Sequence, residues 1–124
     1  MRWQGGEGKT VQGHTLRVGK VTLDTESHTL DVDGNVHALT PKQFQLLNLL
    51  MSHPGKTFTR KQIMKDVWET DYTGDTRTLD VHVHWLRQKL GDIPGPPRHI
   101  LTVRRVGYRF VDPEAPQAEP LDRG

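Results

Sequence analysis

The stretch DTRTLDVHVHWLRQKL, residues 75–90, decides the fold because it reads as one amphipathic helix with an unusual outer face. At about 100° per residue, four apolar side chains fall within about 60° of one another, the pattern of a stripe that faces a core. This stripe consists of Leu79, Val83, Leu86 and Leu90. The opposite face mixes large apolar groups with hydrogen-bond donors and consists of Arg77, Val81, His84, Trp85 and Gln88.

Three explanations of this outer face are compatible with the sequence. Isolated exposed apolar residues are common in soluble proteins, and this suffices for Val81. Trp85 can be buried by another part of the same chain. The third explanation is a partner that is partly apolar and partly anionic, such as the DNA major groove with its thymine methyls, base-edge acceptors and flanking phosphates. Val81 would then pack on a thymine methyl, and Trp85 would lie on sugar and base edges.

The size and composition are those of one domain, with 124 residues, 33% hydrophobic residues and a mean hydropathy of -0.68. No apolar run approaches the roughly 18 residues of a membrane span, and residues 1–13 lack the apolar core of a signal peptide. Cysteine is absent, which excludes disulfides and thiolate metal sites. We therefore expect a cytoplasmic protein.

Positive charge is unevenly distributed along the chain. The whole sequence carries +2, but residues 112–124 carry −3, which leaves +5 on residues 1–111. From Arg77 to Arg109, seven basic residues are opposed by two acidic ones. This clustering suggests a polyanionic partner, although a solvated charged face gives the same pattern.

Composition also divides the chain into three parts. Residues 1–14 have no periodic pattern and are predicted to form a flexible leader or linker. Residues 112–124 contain three prolines and few apolar groups, which predicts a disordered acidic tail. The folded domain is then residues 15–111. It begins with four short β-like runs (LRV, VTLD, HTLDV and NVHAL), and Asp33-Gly34 between the last two is a hairpin signal, so we expect an antiparallel meander.

Two helices precede residues 75–90, and both open with a capping box. TPKQ (40–43) and TRKQ (59–62) place a threonine at the N-cap and a glutamine three residues later, so that each side chain satisfies a backbone group at the helix start. The first helix should run to about His53 and the second to about Trp68.

The run ILTVRRVGYRFV, residues 100–111, predicts two strands that turn at Arg105–Gly107. Arg104 and Arg105 would project at the tip, where an arginine suits the enhanced negative potential of a narrow minor groove, although a basic tip also simply favours solubility. The predicted fold class is α+β: a winged helix-turn-helix with an N-terminal antiparallel β-sheet, a three-helix bundle and a C-terminal β-hairpin wing.

Four motifs occur in order: LT…F.LL..L in the first helix, TR.Q....VW in the second, R.LDVHV..LR.KL in the third, and TVR..GYRF in the hairpin. Together they resemble the effector domain of OmpR/PhoB-type response regulators over residues 16–111. The resemblance implies sequence-specific binding of double-stranded DNA in transcription regulation by a two-component phosphorelay. The third helix would lie in the major groove and the wing in the minor groove.

The resemblance and the outer face together define a set of candidate DNA contacts. Trp68 matches a position whose indole N–H donates to a phosphate, Arg60 lies at a helix start that favours a phosphate, and Arg104 matches a minor-groove arginine. The full set is Arg60, Trp68, Arg77, Thr78, Val81, His82, His84, Trp85, Arg87, Gln88, Thr102, Arg104, Arg105 and Tyr108.

His84 and Trp85 depart from the family pattern, which has consecutive basic residues at these positions. Tryptophan lacks the two parallel donors with which arginine binds guanine, so guanine recognition is not expected there. If His84 meets a phosphate, affinity should fall between pH 6 and pH 8 as the imidazole loses its charge.

The resemblance implies further partners. Loop 69–74, ETDYTG, corresponds to the segment that contacts RNA polymerase. A receiver domain normally precedes this module, and none is found in the sequence, so we expect an isolated effector half that is monomeric alone and dimeric on tandem DNA half-sites.

Other functional classes have weaker support in the sequence. No nucleophile–base pair or carboxylate pair stands out, so we expect neither an enzyme nor a cofactor. His82 and His84 suggest a metal site, but residues two apart on a helix point about 200° apart, so only a strand would bring them to one ion. The main alternative is a winged-helix protein-interaction module that uses the Val81/Trp85 face.

Overall fold

The computed structural model describes residues 10–12, 14–70, 76–93 and 95–114. These residues form a meander of strands, then helices interrupted by one short strand, then a hairpin, which confirms the expected fold class. The strands are β1 Thr10–Gln12, β2 Thr15–Val18, β3 Val21–Asp24, β4 Thr29–Val32, β5 Asn35–Ala38, β6 Thr57–Thr59, β7 Ile100–Val103 and β8 Gly107–Phe110. The helices are α1 Pro41–Met51, α2 Arg60–Trp68 and α3 Arg77–Leu90.

The N-terminal sheet is antiparallel, and its strands neighbour one another in chain order from β1 to β5. The register aligns Leu16, Leu23 and Leu30 in one row across β2, β3 and β4, and all three are buried. The turn between β4 and β5 is the expected Asp33-Gly34 pair, and both residues have positive φ, as a tight two-residue hairpin turn requires.

The boundaries of the predicted leader and tail need correction. Strand β1 lies inside the predicted leader, yet Thr10 pairs with Arg17 of β2, so the ordered domain includes Thr10. A three-residue strand is too short to show alternation in a sequence. At the other end Glu114, inside the predicted tail, folds back to lie 3.6 Å from Lys20 Nζ. Within the predicted leader and tail, residues 1–9, 13 and 115–124 lie outside the described residues.

Both capping boxes are present. The Thr40 hydroxyl accepts from Gln43 N at 3.2 Å, and the Gln43 side chain accepts from Thr40 N at 3.1 Å. The same pair of bonds joins Thr59 and Gln62 at 3.0 and 2.9 Å. Helix α2 ends at Trp68 as expected, whereas α1 ends at Met51, two residues before the predicted His53.

The wing is a three-stranded sheet in the order β6–β8–β7, not the two-stranded hairpin expected from the sequence. Strand β6 lies between α1 and α2 and pairs with β8, with Phe58 opposite Tyr108. It was missed because three residues carry no pattern and their partner lies far along the chain. The hairpin turns at residues 104–106, and Gly107 already belongs to β8.

One hydrophobic core joins the N-terminal sheet, the helices and the wing. The predicted stripe of α3 forms part of it, and so does Phe110 of the wing, which is fully buried. Within the described ranges, no helix has the length and apolar character needed to cross a membrane.

Candidate nucleic-acid interface

The two faces of α3 are divided as the sequence predicts. The stripe residues Leu79, Val83, Leu86 and Leu90 have exposures of 0, 1, 0 and 3%. On the outer face, Val81 is 42% exposed and Trp85 is 43% exposed. Arg77, His84 and Gln88 are exposed beside them. The possibility that Trp85 is buried by another part of the chain is therefore excluded.

His82 lies between two tryptophans on the flank of α3 that faces α2. Its Nδ1 atom lies 2.8 Å from the Thr78 carbonyl oxygen, so this nitrogen carries a proton and donates. Its ring centroid lies 5.1 Å from that of Trp68 and 5.2 Å from that of Trp85. The half-buried His82 thus orients Trp85. The helical geometry also separates His82 from His84, since residues two apart point in nearly opposite directions.

Trp68 is half-buried at the end of α2, where Lys42 of α1 packs over its ring. Lys42 Nζ donates to the Val67 carbonyl oxygen at 2.7 Å, which caps the C-terminal end of α2 with a positive charge. The Trp68 ring thus lies between Lys42 and His82.

Asp80 connects α2, α3 and the wing. Its carboxylate accepts from Arg60 at 2.6 Å and from the Tyr108 hydroxyl at 2.7 Å. Burial raises the pKa of Tyr108, and the hydrogen bond to Asp80 raises it further. Burial alone would lower the pKa of Arg60, but the hydrogen bond to Asp80 and the nearby charges outweigh it and raise that pKa. Arg60 and the 4% exposed Tyr108 are therefore occupied inside the domain.

Arg87 also connects α3 to the wing. Its guanidinium donates to the Ile100 carbonyl oxygen at 3.1 and 2.9 Å and to the Thr102 hydroxyl at 2.8 Å. The Thr102 residue itself is exposed. Arg87 was expected to contact DNA, and the structure places it in the joint between the helix and the wing.

The tip of the wing is exposed. Arg104, Arg105 and Val106 all face solvent. A hydrogen bond attaches the tip to α2: the backbone N–H of Arg60, at the start of that helix, donates to the Val106 carbonyl oxygen at 3.1 Å. Arg105 has a φ of 65°, in the left-handed region that favours glycine.

A second anchor at the base of the wing was missed from the sequence. Asp92 is 1% exposed and accepts from the backbone N–H groups of His99 and Ile100 and from His99 Nδ1 at 2.7 Å. Burial alone would raise the pKa of Asp92, but these hydrogen bonds outweigh it, so its pKa lies below the ordinary value. The loop sequence offered no motif that would have identified this pair.

Comparison with known proteins agrees with this architecture. Residues 34–110 match the family described as "Transcriptional regulatory protein, C terminal". The sensory transduction protein RegX3 of Mycobacterium tuberculosis is 41% identical over 110 residues, which cover 89% of this chain and 48% of that protein. The DNA-binding domain of Klebsiella pneumoniae RstA, solved in complex with the RstA box, aligns with a TM-score of 0.72 and 33% identity, covering 79% of this chain and 97% of that one. The DNA-binding domain of CpxR from Escherichia coli aligns with a TM-score of 0.68 and 31% identity over 79% and 96% of the two chains.

The fold and the exposed face of α3 define a winged helix-turn-helix domain. The chain belongs to the family of C-terminal domains of transcriptional regulatory proteins, the OmpR/PhoB-type domains that its motifs resemble. It spans about half the length of the curated relatives that it matches.

Proposed function

We propose that this chain binds double-stranded DNA in a sequence-specific manner, as the effector domain of a two-component transcriptional regulator. The observation that carries the proposal is the exposed outer face of α3, with the arginine-bearing wing tip following it in the same domain. Relatives of this fold support it, since the RstA domain was crystallised with the RstA box and the AdeR domain with an intercistronic region.

We divide the candidate contacts according to their position in the domain. Those on the outer face of α3 would enter the major groove, which admits a helix: Arg77, Thr78, Val81, His84, Trp85 and Gln88. At the wing tip, Arg104 and Arg105 would enter the minor groove, while Trp68 and Thr102 would flank the phosphate backbone. Arg60, His82, Arg87 and Tyr108 act in this proposal as positioning residues, because their side chains already bond within the domain and are at least partly buried. The Thr102 hydroxyl also accepts from Arg87, but Thr102 is exposed and stays among the contacts.

The remaining parts of the proposal rest on the family resemblance. The domain binds tandem half-sites as a dimer, and loop 69–74 contacts RNA polymerase; residues 71–75 lie outside the described part of the structure. The regulator acts in the cytoplasm by binding and without catalysis.

Selection of bound duplexes from a random DNA pool tests the proposal directly. A tandem-repeat motif should be enriched, and binding to it should weaken steeply with salt. A domain that contacts about six phosphates loses roughly 10³-fold in affinity between 50 and 200 mM salt. If no duplex is enriched, the proposal fails, and the Val81/Trp85 face is then better explained as a protein-interaction surface.

A further inference from the structure

The outer face of α3 carries an apolar strip that an anionic partner alone does not explain. Val81 and Trp85 lie one turn apart, about 40° around the helix axis, so they form a continuous surface. Each has more than two-fifths of its surface exposed. Phosphate contacts use charged or hydrogen-bonding groups, which neither of these side chains supplies beyond one indole N–H.

Within the major groove of unmodified DNA, the apolar group that differs between base pairs is the C5-methyl of thymine. The polar residues around the strip match the hydrogen-bonding groups that lie near a thymine methyl in the groove. Gln88 can bond both N6 and N7 of an adenine, the partner of thymine, while Arg77 and His84 can donate to nearby phosphates or base-edge acceptors. The strip and its neighbours thus have the chemistry of a face that binds A·T pairs.

Trp85 is held in position before any ligand binds. Its ring packs against His82 at 5.2 Å, and His82 is itself bonded to the Thr78 carbonyl oxygen and packed on Trp68. A side chain that is already ordered loses little entropy on binding. Tryptophan cannot make the two-donor contact that arginine makes to guanine, so its contribution at this position is mainly apolar.

We propose that Trp85 is a specificity-determining residue that recognises thymine methyl groups, so that the DNA site carries thymine opposite the Val81–Trp85 strip. This inference rests on the proposed function and names the bases that the site prefers.

The test uses the best-enriched duplex from the random pool, with each thymine replaced in turn by uracil, which removes only the methyl group. At the thymine that Trp85 covers, uracil should weaken binding about fourfold, the value expected for one buried methyl. In Trp85→Ala this penalty should disappear. Val36→Ala is the matched control, because Val36 is 64% exposed on β5 and lies outside α3, and this variant should retain the full uracil penalty.

A second variant keeps the test independent of the stability of Trp85→Ala. Trp85→Arg should shift the selected base at this position from thymine to guanine. Equal binding of the uracil and thymine duplexes, or the same uracil penalty in the wild type and Trp85→Ala, would overturn the inference while DNA binding stands. If no duplex is enriched at all, the proposed function and this inference fail together.

Discussion

Arginine has opposite roles in two regions of the molecule. One region is the joint where the helices meet the wing, and the other is the tip of the wing. In the joint, Arg60 of α2 bonds Asp80 of α3 and the Tyr108 hydroxyl of the wing, and Arg87 of α3 bonds the Ile100 carbonyl oxygen of the wing. At the tip, Arg104 and Arg105 face solvent. All four arginines were predicted to contact DNA: Arg60 from its place at a helix start, Arg105 from the projecting hairpin tip, and Arg87 and Arg104 from the family motifs. The comparison shows that a place in a binding motif does not by itself expose an arginine, because two of the four bond within the domain and two face solvent.

The largest effect on stability should come from Gly107→Ala, in the wing sheet. A Cβ atom at Gly107 would collide with the backbone carbonyl of Phe58, because β6 and β8 approach too closely for a side chain. Overpacking against backbone should cost about 3 kcal/mol of unfolding free energy or more. Denaturation by urea measures this loss. Val106→Ala at the exposed tip is the control and should stay within about 0.5 kcal/mol of the wild type; equal stability of the two variants would show that β6 is not part of the wing.

Asp92→Asn should have the next largest effect, because it weakens the anchor at the base of the wing. Removing the buried carboxylate that accepts from His99 and Ile100 should cost about 2 kcal/mol at pH 7. The folded-state pKa of Asp92 is lowered, so its contribution is complete above the unfolded pKa, about 4, and is lost as the pH falls through the lower folded value. The stability difference from the wild type should therefore shrink in urea melts below about pH 4. Asp66→Asn, on the exposed surface of α2, is the control and should stay within about 0.5 kcal/mol of the wild type at pH 7.

Arg104→Ala and Arg87→Ala distinguish the role of the wing tip from the role of the joint. Arg104→Ala should weaken DNA binding about tenfold and reduce the slope of log affinity against log salt by about 1, because one phosphate-neutralising charge is lost. Arg87→Ala should lower the unfolding free energy by about 1 kcal/mol through its lost hydrogen bonds, and should weaken DNA binding without changing the salt slope. Binding titrations at several salt concentrations give both slopes. A lower slope in Arg87→Ala would mean that Arg87 also contacts DNA.

The smallest change in unfolding free energy is expected at Arg105, where substitution should stabilise the domain instead of destabilising it. Glycine relieves the left-handed strain, so Arg105→Gly should stabilise the domain by roughly 0.5 kcal/mol while weakening DNA binding. Arg105→Asn is the matched variant, because asparagine tolerates positive φ without carrying a charge. Thermal melts of both variants measure the change in stability, and binding titrations measure the change in DNA affinity. Unchanged DNA affinity in both would remove Arg105 from the contact surface.

The elements that the sequence predicted well are those built from neighbouring residues. The capping boxes at Thr40 and Thr59, the Asp33-Gly34 turn and the core stripe of α3 each depend on groups within one or two turns of chain. Their pattern is therefore visible without a fold. The position of Val81 and Trp85 opposite this stripe followed from the same periodicity, whereas only the structure showed that Trp85 is not covered.

The elements that the sequence missed depend on distant partners. Strands β1 and β6 are each three residues long and were not recognised, and β6 exists as a strand only beside β8. The pair Asp92 and His99 was also missed, since neither residue belongs to a motif.

By itself, the sequence determined the order of the main elements, the face of α3 that turns outward and the family to which the motifs belong, because these follow from local hydrogen bonds and from periodicity. Only the tertiary structure decided that Arg60 and Arg87 bond within the domain and hold the wing, whereas the hairpin pattern had already placed Arg104 and Arg105 at its tip. Arg60 meets Asp80 across 20 residues and Tyr108 across 48. Such contacts form only once packing of the core has brought α2, α3 and the wing together.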